Sequence, residues 1–108
     1  MDIIDLKDKE NFQREGRGFA NLVSESYLQI NQVCLEPGQQ VPPHEANSNV
    51  TLNVVYGEGS LTFDGESAIM IPGKLFRVPH RSLMSIKNES QARLAFLVFK
   101  TPHPEKML

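Results

Sequence analysis

From residue 19 to residue 100 this chain is a succession of short apolar segments, closed off at regular intervals by Gly, Pro and Asn. That punctuation admits few folds. Helices need longer runs with a 3.6-residue period, whereas short alternating segments between turn residues read as strands of a sandwich or barrel. Candidate strands are Phe19–Ser24, Tyr27–Leu35, Val50–Tyr56, Ser60–Phe63, Ser67–Ile71, Leu75–Val78, Leu83–Lys87 and Ala92–Lys100. Asp64-Gly65 between two of them is a tight-hairpin signal, because such turns need residues that tolerate positive φ. The one helical candidate is a single turn within Asp8–Gln13. So many short strands leave exposed edges unless the sheet closes, which makes the expected fold an all-β, small antiparallel barrel. At 108 residues the chain suits one domain: an N-terminal arm over 1–18, a barrel over 19–101 and a tail over 102–108. Pro102 and Pro104 cannot donate to a ladder and mark the end of the last strand.

Composition narrows the function. A formal charge of −2, with Lys and Arg scattered, offers no basic stripe for a phosphate backbone, so nucleic acid is not an expected partner. The longest apolar run, Leu94–Phe99, is too short for a bilayer, and residues 1–7 are too acidic for a secretory leader, so no membrane partner is expected and the expected compartment is the cytoplasm. The lone Cys34 lies in an alternating segment and reads as a buried structural thiol.

Two stretches carry a resemblance. Gly38 is followed, after five residues, by His44, and Gly57 closes the segment in register. Further on, Gly73, Pro79 and Asn88 fall at the spacing of a second motif. Together they resemble the two motifs of the cupins, and the short link between them is like that of small bacterial single-domain cupins of the conserved-barrel type. The resemblance implies a jelly-roll-like double-stranded β-helix. In metal-binding cupins it also implies three histidines and a glutamate converging on an ion inside the barrel. Here those positions hold His44, Ala46, Val50 and Met84, and Arg81 replaces a motif glycine. The metal-binding motifs are therefore degenerate.

Chemistry agrees with that expectation. Ala and Val cannot coordinate, and a metal site normally takes at least three protein ligands. The Met84 thioether suits Cu(I), so a weak transition-metal site at His44 is the only cofactor left to consider; otherwise no cofactor and no metal are expected. His80 stands four residues before Met84, about 13 Å along an extended strand, and can replace the lost ligand only if the chain turns sharply at 79–81. His103, between two prolines, reads as exposed unless it serves a neighbouring subunit.

What remains is a pocket in the barrel lined by His44, Ala46, Val50, Leu52, Phe63 and Met84, with Tyr56 nearer the rim. Mostly apolar walls with a few polar anchors suit a small organic ligand. His44 is equally an anchor or a structurally bonded histidine, and Leu52, Phe63 and Met84 read first as core. Arg81 offers attraction for an anion or is simply a surface arginine. Glu45 should face solvent, and 47–49 reads as a turn or lip. No catalytic residues stand out: nucleophile-elbow, Walker and dinucleotide motifs are missing. The expected function is a metal-free small-molecule binding or sensory module, working as a homodimer. The alternative is a cupin enzyme of dioxygenase or isomerase type, metal-dependent through a rearranged site or metal-free through His44. A third possibility is a barrel that only docks another protein.

Overall fold

The computed structural model describes all residues from 1 to 108. The turn-punctuated segments become nine strands: β1 Gly18–Glu25, β2 Leu28–Leu35, β3 Gln40–Glu45, β4 Val50–Tyr56, β5 Gly59–Phe63, β6 Glu66–Met70, β7 Leu75–Val78, β8 Leu83–Lys87 and β9 Leu94–Lys100. They form a five-stranded sheet of order β1-β2-β9-β4-β7 and a four-stranded sheet of order β3-β8-β5-β6. All strand pairs are antiparallel. From β2 onward the chain changes sheet at each connection except the β5–β6 hairpin, which is the winding of a double-stranded β-helix.

Strand parity decides what lies between the sheets. Val50, Leu52 and Val54 of β4, Leu94 and Phe96 of β9, and Leu61 of β5 are buried, while the residues between them on β4 are only half-buried. Leu35, Leu52, Leu94 and Phe96 have no exposed surface. Burying each such side chain is worth about 1.5–3 kcal/mol. The Asp64-Gly65 hairpin forms as expected: Asp64 has φ 47°, and Phe63 and Glu66 pair on either side.

β3 is the strand that the apolar pattern did not mark. It contains Pro42 and Pro43, which lack N–H groups and argue against a central strand. The fold accommodates them by placing β3 at the edge of its sheet. The register against β8 also slips: Val41 pairs with Ile86, yet His44 pairs with Met84. That bulge inserts one extra residue, so His44 returns to the inward side that Val41 occupies despite their odd spacing.

The arm does not coil into the expected turn over 8–13; a 3₁₀ turn covers Lys7–Lys9 instead. The rest has no regular structure, bends over residues 14–16, and is tied to side chains of the five-stranded sheet and its adjoining loops. Gln32 donates to the Leu6 carbonyl at 2.9 Å and Gln39 to that of Gln13 at 2.8 Å. The Tyr56 hydroxyl donates to Glu10, and the Arg93 guanidinium stacks 4.3 Å over the Phe12 ring. Arg93 also forks onto Glu36. Beneath the arm Cys34 is buried, as expected, and burial pushes its thiol pKa up, so it stays protonated.

Candidate functional site

His44 and Met84 are directly opposed on β3 and β8, and Phe63 of β5 opposes Met84 from the other side. The His44 Nδ1 lies 2.9 Å from the Pro42 carbonyl, which can only accept, so Nδ1 carries a proton and donates it. Ala46, two residues on, is buried, and its backbone exchanges hydrogen bonds with the 79–82 turn: it donates to Ser82 at 2.9 Å and accepts from Arg81 at 2.8 Å. Val50, at the start of β4 in the facing sheet, is also buried.

Between the sheets, where β1, β2, β9 and β4 face β3 and β8, lies a cavity of about 100 Å³. Its apolar wall is Phe19, Val33, Val41, Leu52, Met84, Ile86, Phe96 and Val98. Its polar lining is Arg17, Asn31, His44 and Lys100. Three of the residues read from sequence as pocket walls meet here: His44, Leu52 and Met84.

The others are placed differently, each for a visible reason. Ala46 and Val50 are core beside the cavity rather than lining it. Phe63 packs against the core from β5, beyond Met84. Tyr56 is a correction, since it sits at no rim. The β4–β9 register slips between Val54 and Tyr56, and the ring reaches the arm, where burial and then the hydrogen bond to Glu10 raise its pKa. Of the two readings of Arg81, the surface one matches its place: it is exposed, holds a turn with φ 73°, and is not among the residues lining the cavity.

His80 does sit in a turn, and its backbone N–H donates to Asn49 Oδ1 at 3.3 Å. His103, expected to be exposed, is half-buried. Its Nδ1 accepts from the Glu105 N–H at 3.1 Å while its Nε2 lies 3.3 Å from Gln29 Nε2. Neither joins His44: no three His, Cys, Asp or Glu side chains come together anywhere in the fold. The residues at the four motif positions do not fit a metal ion.

Sequence reading missed Arg17, Asn31 and Lys100. Lys100 was within reach of strand parity, since Leu94, Phe96, Val98 and Lys100 are alternate residues of β9. Asn31 likewise alternates with Val33 and Leu35 on β2. Arg17 belongs to the arm, where no periodicity places it.

The second motif's Asn88 has a structural task. Wholly buried, it donates to the carbonyls of Leu35 at 3.0 Å and Ala92 at 2.8 Å, and its Oδ1 accepts from Ser90. It ties the ends of β2 and β8 to the turn leading into β9. Gly57, closing the first motif, has φ 91°, and a Cβ there would fall 2.3 Å from the Arg93 carbonyl oxygen. Only glycine fits that approach.

No family model matches the chain. Protein MJ0764 of Methanocaldococcus jannaschii, described as uncharacterized, is 39% identical over 87 residues, spanning 80% of this chain and 75% of that one. Its crystal structure, described as an RmlC-like cupin family protein with a double-stranded β-helix fold, superposes with TM-score 0.77 at 36% identity over 89% of this chain and 91% of that one. TT1209 from Thermus thermophilus gives TM-score 0.88 at 24% identity, over 96% and 100%. KdgF from Halomonas sp. gives 0.77 at 17%, over 99% of each. With motif glycines and Asn88 performing visible work in the frame, and with such a relative over most of its length, the chain belongs to the RmlC-like cupin family.

Proposed function

We propose that this cupin is a metal-free small-molecule binding or sensory module. The observation that carries the reading is the pairing of a cavity with a lost ligand set. An apolar hollow of about 100 Å³ sits where His44 meets Met84, while Ala46, Val50 and Met84 occupy the positions that would hold the other ligands. A volume near 100 Å³ is well below the usual 300–1,000 Å³ of drug-sized sites, so the ligand is a small organic molecule. Native mass spectrometry of the purified chain, with elemental analysis, is the test. The expected result is no stoichiometric metal and a cavity that takes up small probes; one tightly held transition ion per chain would overturn it.

One observation favours a second reading, a metal-free enzyme. With Nδ1 donating to Pro42, Nε2 of a neutral His44 ring is the nitrogen left to serve as a base in a site it lines. Proton exchange at the α-carbon of small keto acids, followed by NMR in D₂O and abolished in His44→Gln, distinguishes it from pure binding. The reading also has the protein acting as a cytoplasmic homodimer. A lone thiol suits a reducing compartment, and β1 at the free edge of its sheet offers a strand for two-fold pairing. Light scattering checks the dimer.

A further inference from the structure

Lys100 ends an inward-facing series whose earlier members, Leu94, Phe96 and Val98, are apolar. Arg17, one residue before β1, lines the same cavity. No Asp or Glu lines it, and neither cation has a side-chain hydrogen bond; the molecule's one ion pair joins Arg93 to Glu36 elsewhere. Asn31, the one amide side chain at the cavity, already has partners, accepting from Asn21 at 2.8 Å and donating to Gln29 at 3.2 Å. The cavity thus holds two cations with nothing to neutralise them.

We infer that the cavity takes a small organic monoanion, its carboxylate held between Arg17 and Lys100 and its short apolar part turned toward Leu52, Met84 and Phe96. This rests on the small-molecule reading above and names the class. Lys100 is half-buried and Arg17 exposed, and neither has a partner, so positive charge at the apolar hollow stands uncompensated. Consistent with that, burial first and then the Arg17 charge lower the Lys100 pKa. A carboxylate reverses the balance, because guanidinium and ammonium both make charge-assisted hydrogen bonds to it. The small volume, about 100 Å³, favours a short tail of propionate size over a long chain.

The test uses the full chain at low salt, with calorimetry and amide chemical shifts. The probes are propionate, propionamide and inorganic phosphate, and the variants are Lys100→Met and Arg17→Met. Propionate should bind and shift the β9 amides, and propionamide should bind at least about tenfold more weakly. Each variant should lose about tenfold in propionate affinity, while Lys100→Met keeps or raises the melting temperature because it removes a half-buried, unpaired charge. Equal binding of propionate and propionamide would overturn the anion and leave the small-molecule reading standing. Phosphate binding as tightly as propionate would overturn the apolar half of the assignment. Binding of none of the three would overturn both readings together.

Discussion

Changing Ala46 to His, Val50 to Glu and Met84 to His restores the four-ligand pattern around His44, and the structure lets the outcome be worked out. His44 and Met84 are direct cross-strand partners, so their Cβ atoms stand about 4.5–5.5 Å apart, close enough for two imidazoles to share one ion. Residue 46 follows two places after His44, and residue 50 faces them from the other sheet. All three changed positions are buried, at 2%, 3% and 5% exposure for Ala46, Val50 and Met84. Without metal the variant suffers: the larger side chains at 46 and 50 cost about 1–3 kcal/mol each, the polar ring at 84 adds about as much, and an unpaired carboxylate at position 50 costs several more. That approaches the roughly 5–15 kcal/mol that holds a domain folded, so folding becomes coupled to metal. Metal at one hundred times its dissociation constant returns about 2.7 kcal/mol, which at about 4–8 °C per kcal/mol lifts the melting temperature by some 10–20 °C. The assay is thermal unfolding with and without Mn, Ni, Co or Zn, with native mass spectrometry for stoichiometry. Wild type should move by less than about 1 °C, since nothing there gathers three ligands. Should the triple variant not fold, Ala46→His with Met84→His alone still presents three histidines without the buried acid. A folded variant that ignores every metal would refute the convergence of positions 44, 46, 50 and 84.

Asn88→Ala should cost about 2–4 kcal/mol in urea unfolding, because it strands the wholly buried Leu35 carbonyl and frees the turn at Ser90; a loss under about 1 kcal/mol would contradict that clamp. Arg81→Gly should stabilise by about 1 kcal/mol, since φ 73° strains a residue with a Cβ and the exposed side chain makes no bond, whereas a destabilisation would show an unseen task for the arginine. Above pH 8 stability should fall, because the Cys34 and Tyr56 pKa values are raised in the folded chain. Their neutral forms support the fold below the unfolded values, and that support is lost as pH climbs past them. Tyr56→Phe should flatten the part of the fall near pH 10, as read from thermal unfolding across pH; an unchanged profile would refute the assignment.

The architecture was legible because each strand but one advertises itself by parity and by the turn residues at its ends, and the exception shows why. β3 carries two prolines and a bulge, features that suppress a strand signal locally and that only an edge position in the assembled sheet can excuse. The same bulge decides the site, since without it His44 would face away from Met84. Register slips undo prediction elsewhere too: one residue of slip between Val54 and Tyr56 sends the tyrosine to the arm. The motif positions fared better because spacing fixes them however the bulges fall; Gly57, Asn88 and the left-handed turn at Arg81 all occupy the conformations that the pattern demands. The cavity's cations divide along the same line. Lys100 follows from counting alternate residues back to Leu94, and is easily passed over because a terminal lysine on a strand ordinarily reaches solvent. Arg17 has no such handle. It is brought to the cavity by the arm, which is held by Gln32, Tyr56 and Arg93 from distant parts of the chain. A site assembled from one periodic strand and one aperiodic arm is half readable in advance, and the unreadable half is the one that makes the lysine a member of a pair.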